Sequence, residues 1–100
     1  MWTKKVILLA DDSTDDVVII HSAIRRAGFD KSIIVVSDGK QAIDYLHGKG
    51  SYADRLEFPR PELLLLDLNM PRYDGFEVLE WARRQPQWCY LPVIVLTASH

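Results

Sequence analysis

The chain has 100 residues, a formal net charge of -2, 48% hydrophobic residues and 26% charged ones. That length and balance predict a single globular domain, and lysines and arginines scattered along the sequence argue against a nucleic-acid surface. Cys89 is the single cysteine, which excludes an internal disulfide and a CxxC metal site and fits a reducing, cytoplasmic setting.

The opening MWTKKVILLADD places a basic pair before an apolar run. The run is too short for a secretory signal and ends in two aspartates, so a leader is not expected. No stretch is long enough to cross a bilayer. KKVILLADD instead reads as a short strand buried on both faces, because its apolar run does not alternate. STDDVVIIHSAIRRAGF reads as a helix. Ser13 is its candidate N-cap with Asp16 at capping-box spacing, Val17, Ile20, Ile24 and Ala27 form one apolar face, and Gly28 supplies the stop. SIIVVSD is a second buried strand, and DGKQAIDYLHGKG a second helix with Asp38 and Gln41 at capping-box spacing and Ala42, Tyr45 and Leu46 on one face. From Gly48 to Pro61 the glycines, prolines and mixed charges predict a long connection.

ELLLLDL is the third strand, NMPRYDG a turn, and FEVLEWARR a third helix opened by an Asp74–Glu77 capping box and ended by Pro86. LPVIVLTAS is the fourth strand, with Pro92 tolerable at its start. The order βαβαβαβ predicts an α/β fold with a parallel sheet, right-handed crossovers and helices on both faces. Arg83 and Arg84 read as partners of a helix dipole. His21 and His47 read as rim residues, and Trp2, Trp81 and Trp88 as packing.

In such sheets function collects at the carboxyl ends of the strands. Those ends carry Asp11 and Asp12 after the first strand, Asp67 at the third and Thr97 at the fourth. Asp67 ends four consecutive leucines, and a carboxylate there is costly to desolvate without a partner or a task. Each residue alone has a plainer explanation: a helix-opening acid pair, a turn cap, a strand threonine. Together, if the first and third strands are neighbours, three carboxylates converge and resist ionising together. A hard divalent cation such as Mg²⁺ would resolve that conflict through oxygen ligands, and the Thr97 hydroxyl could hydrogen-bond a phosphoryl oxygen.

ILLADDS, LLLLDLNMPRYDGFEVL and PVIVLTA resemble the receiver domain of two-component response regulators, and the similarity spans essentially the whole chain. VVSDGKQAIDYLHGKGSYADRLEFPRPELLLLDLNMPR further resembles the single-domain regulators that partner phytochrome-type histidine kinases. The resemblance implies a flavodoxin-like, doubly wound sheet with strand order 2-1-3-4 over the segments present. It implies Asp67 as phosphoacceptor, Asp12 as a direct Mg²⁺ ligand, Asp11 as a ligand through water and the Asn69 carbonyl as another. Thr97 would be the switch hydroxyl and the Ala98 amide a phosphoryl contact, while the Asn69 and Ser99 side chains would tune dephosphorylation. The implied role is a cytoplasmic signalling module that accepts a phosphoryl group from a histidine kinase, and not an enzyme.

Receivers of this kind continue with a fourth helix, a fifth strand carrying a phosphate-binding lysine and a fifth helix. The 100 residues include none of these, and Lys4, Lys5, Lys31, Lys40 and Lys49 all precede Asp67. The sequence therefore predicts an incomplete receiver that is phosphorylated poorly, with a protein-interaction module as the alternative. It also predicts self-association, as a homodimer or larger, through a fourth strand left at an edge. A haloacid-dehalogenase-type phosphatase would need a second acid two residues after Asp67, where Asn69 stands and cannot usefully transfer a proton.

Overall fold

The computed structural model describes residues 5–29 and 32–96. In chain order they form β1 (Val6–Ala10), α1 (Thr14–Arg26), β2 (Ser32–Val36), α2 (Gly39–His47), a short 3-10 turn (Gly50–Tyr52), β3 (Leu63–Asp67), α3 (Gly75–Arg84) and β4 (Val93–Leu96). The strands make one sheet in the order β2-β1-β3-β4, with every neighbouring pair parallel. Because the order reverses between β2 and β3, β1 and β3 lie side by side, with Ala10 opposite Leu66.

Alternation along the strands sorts the side chains into two layers. Leu8, Ala10, Leu64 and Leu66 face α2 and α3, joining Val36, Ala42, Tyr45, Leu46, Val78, Ala82 and Trp88 in the larger core. Ile7, Leu9 and Leu65 face the other way, onto Val17, Ile20 and Ile24 of α1. An unalternating apolar run is what a strand covered on both faces requires, and β1 is buried throughout. The second strand lies at the edge, as the order 2-1-3-4 implies, but it is less buried than its apolar run predicts: only Val36 is buried, and Val35 is exposed. Ala27 also leaves the expected apolar face, since it is the exposed C-cap of α1.

Local chemistry sets the helix ends. Ser13 Oγ accepts the Asp16 amide, and Gly28 (φ 82°) ends α1 in the left-handed region that glycine tolerates. The Asp74–Glu77 capping box is reciprocal. At α2 it is not: Asp38 Oδ1 accepts the Gln41 amide at 2.7 Å, but the Gln41 side chain turns to Ser37 and accepts its backbone N–H at 2.9 Å. The 48–61 connection is better ordered than its composition predicts. Tyr45, Tyr52 and Phe58 form an aromatic cluster beneath it, and Arg55 donates to the Leu46 and Phe58 carbonyls. Arg83 does more than face a helix dipole, because its Nη1 donates to the carbonyls of Trp88, Cys89 and Leu91. Arg84 instead pairs with Glu80 on the exposed side of α3. Trp88 is buried and donates to the Leu46 carbonyl, while Trp81 is half-buried beside His47. His47 is exposed and His21 half-buried, as rim positions are. Trp2 falls outside the described residues. No helix among the described residues is long and apolar enough to cross a membrane.

Candidate functional site

The adjacency of β1 and β3 brings Asp11, Asp12 and Asp67 together. Each offers one carboxylate oxygen, and those oxygens all lie within 4.8 Å of one another. Asp11 and Asp67 are buried, whereas Asp12 is exposed. The site is therefore a floor of two desolvated carboxylates with a third at its open rim.

Backbone amides orient the two buried groups. The Ser13 N–H donates to Asp11 Oδ1 at 2.9 Å, and the Asn69 N–H donates to Asp67 Oδ1 at 3.0 Å. In each, a carboxylate accepts from the residue two positions on, the local bond that aspartate makes at a turn. One oxygen of each acid is thus occupied. Gly75 lies over the Asp67 backbone: its N–H donates to the Leu68 carbonyl at 3.1 Å, and a Cβ there would collide with the Asp67 carbonyl. Only glycine allows α3 to begin so close to the third strand's end.

The electrostatics follow from burial first. Loss of solvent pushes the Asp11 carboxyl above its usual value, the Ser13 amide opposes that rise, and the charges of Asp67, Asp16 and Asp12 add to it. Repulsion among the acids, expected from the sequence, is real but second to desolvation. Asp16 on α1 is a contributor that its role as a capping-box partner had concealed.

A divalent cation fits this donor set. The oxygens are hard, two acids are pre-oriented by amides, and the third faces solvent, where bound water can complete the coordination. Asn69, the other expected ligand, is exposed, with its amide on Asp67. Thr97 and Ala98, the expected switch residues, lie outside the described residues, as does Ser99.

Sequence reasoning missed a link between two loops beside this site. The Gly39 N–H, at the start of α2, donates to the Pro71 carbonyl at 3.4 Å. Arg72 lies 3.7 Å from Asp38 and adopts φ 73°, the single non-glycine residue in that region among those described. The glycine of VVSDGK was a visible signal, but its neighbour across space was not.

Comparison with known proteins shows the family of the chain. The family model described as "Response regulator receiver domain" matches residues 7–100. The response regulator Rcp1 of Synechocystis sp. is 41% identical over 96 residues, covering 96% of this chain and 63% of the relative. The chain thus spans a little under two thirds of that relative. A solved structure of the Mn²⁺-bound form of Rcp1 superposes with a TM-score of 0.87, covering 96% of this chain and 67% of that one. The bacteriophytochrome response regulator RtBRR gives a TM-score of 0.89 at 39% identity, covering 97% of this chain and 58% of its own. A phosphorylated cyanobacterial phytochrome response regulator, RcpA, gives 0.86 at 37% identity, covering 97% and 67% respectively.

Proposed function

This chain belongs to the response regulator receiver domains, and from that premise we propose that Asp67 accepts a phosphoryl group from a phosphohistidine of a sensor histidine kinase. A free Asp67 oxygen attacks phosphorus, the N–P bond breaks, and the imidazole leaves and is reprotonated from solvent. The product is an acyl phosphate on Asp67, so the chain ends the step modified and acts as a signalling acceptor rather than an enzyme. Asp11, Asp12, Asp67 and the Asn69 carbonyl would hold Mg²⁺, which when bound offsets the negative charge of the phosphoryl group. The chain's own contribution is positioning. The Asn69 amide holds Asp67 Oδ1 and leaves the second oxygen as the nucleophile. In this reading Thr97 and Ala98 receive the phosphoryl oxygens.

The observation that supports this most is the buried Asp67 carboxylate gathered with Asp11 and Asp12 at the ends of adjacent strands. RtBRR and RcpA are phytochrome response regulators, which supports a phytochrome-type kinase as the partner, in the cytoplasm. Self-association is a separate proposal, supported by the exposed Ile94 and Val95 of the fourth strand. Light scattering across a dilution series checks it, and an invariant monomer mass at all concentrations defeats it.

Incubation with acetyl phosphate and Mg²⁺ tests the phosphoacceptor. Intact-mass spectrometry should show one added phosphoryl group on the wild type and none on Asp67→Asn or in excess EDTA. No label on the wild type, or equal labelling of Asp67→Asn, defeats the reading.

A further inference from the structure

The segment between β3 and α3 carries Asn69, whose amide bonds the proposed nucleophile. What holds that segment in place is not confined to it. Met70 is buried and anchors one side. The Pro71 carbonyl accepts two N–H groups, from Tyr73 at 2.9 Å and from Gly39 at 3.4 Å across the cleft. Gly39 is buried, and it takes no positive φ. Its lack of a side chain answers a different need: a Cβ would overlap the Tyr73 carbonyl oxygen and crowd the Tyr73 carbonyl carbon and Cβ at 2.6 Å. The start of α2 therefore touches the 71–73 backbone directly.

Asp38 strengthens this contact with both of its oxygens. Oδ1 caps α2 by accepting the Gln41 amide, and Oδ2 faces Arg72 at 3.7 Å. Arg72 is the residue held at positive φ, a conformation that is costly for a non-glycine residue and persists only where surroundings impose it. The imposed turn and the glycine contact meet at the same place.

We propose that Gly39, assisted by Asp38, is a positioning residue for the phosphoacceptor loop: the backbone contact between the start of α2 and residues 71–73 sets the path of the loop that delivers Asn69 to Asp67. This deepens the phosphoacceptor reading and rests on it for its consequence. A side chain at position 39 lifts Tyr73 away, the 68–73 path shifts, and the Asn69 amide and carbonyl move off their positions while β1 and β3 remain as they are.

The test uses the whole chain without phosphodonor. Amide hydrogen exchange is followed for Asn69, Tyr73 and Gly75, with Leu9 and Leu65 as reporters of the sheet, and Mg²⁺ affinity is measured by titration calorimetry. In Gly39→Ala, exchange at Asn69 and Tyr73 should accelerate while Leu9 and Leu65 keep their rates. Its Mg²⁺ affinity should fall about tenfold or more, the effect typical of residues that orient metal ligands. Asp38→Asn keeps the cap, because asparagine caps as well as aspartate. It should leave Gln41 exchange unchanged, accelerate Tyr73 exchange and weaken Mg²⁺ binding by a smaller factor, and it carries the test if Gly39→Ala does not fold. Wild-type exchange at Asn69 and Tyr73 in the variant that folds overturns the inference, as does uniform acceleration across the sheet. Neither result touches the phosphoacceptor reading, whose own failure would be an unlabelled wild type. The exchange pattern decides the positioning role even then.

Discussion

At the scale of single residues, Asp11 carries a cost that the site's task explains. Its carboxyl titrates above the usual range because it is buried among other acids. A carboxyl with a raised folded-state value binds a proton more tightly in the native chain than in the unfolded one. Its contribution to stability is therefore lost as pH rises through the window between the two values, and the metal-free chain carries the penalty at neutral pH. Asp11→Asn should raise the melting temperature of the EDTA-treated chain at pH 7 and lose most of the further rise that Mg²⁺ gives the wild type, both read by calorimetry. The wild type should gain from Mg²⁺ in proportion to the logarithm of its concentration above Kd. Asp11, Asp12 and Asp67 were legible in the sequence because, although each alone has a plainer explanation, together they fall at the same edge of one parallel sheet. Asp38, Gly39 and Arg72 were not, because their partnership depends on a distance between two loops that no spacing along the chain encodes.

At the scale of elements, helix boundaries were legible where one residue sets them, as at Ser13, Gly28 and Asp74. The less readable parts were connections held by long side chains. Arg83 reaches from α3 to three carbonyls of the segment leading into the fourth strand. Its charge suggested a dipole partner, since nothing in local sequence reports that the chain returns beneath it. Arg83→Ala should destabilise the chain by about 1–2 kcal/mol, within the range of charge-assisted hydrogen bonds discounted for exposure. Urea unfolding measures the cost, and faster amide exchange at Trp88 and Leu91 locates it. Arg83→Lys should recover part of this, because all three carbonyls accept from the single Nη1 and a lysine ammonium carries three N–H donors. Trp88→Phe should cost about 1 kcal/mol by the same measurement, for the bond its indole makes to the Leu46 carbonyl. The loss stays modest because Arg55 also donates to that carbonyl at 2.9 Å.

At the scale of the whole molecule, the two faces of the sheet are unequal. The α2/α3 face holds the larger core, with Tyr45, Leu46, Leu64 and Leu66 fully enclosed. The opposite face is covered by α1, in which no residue is buried. An apolar stripe on α1 was legible in the sequence but not how completely it would be covered, since burial depends on what packs around the helix. Leu64→Ala should therefore cost about 2–5 kcal/mol, and Ile20→Ala clearly less, by urea denaturation of both. The same inequality gives the molecule a built-in timepiece. The lightly held helix starts at Thr14, two residues after Asp12, and ends in Arg25 and Arg26, both exposed. Trypsin cuts such bonds mainly while the helix is transiently open, so the cutting rate counts the openings. A cation gripping the aspartates at one end of α1 should lengthen the interval between scissions at the other, and mass spectrometry of timed digests with and without Mg²⁺ would read that interval directly.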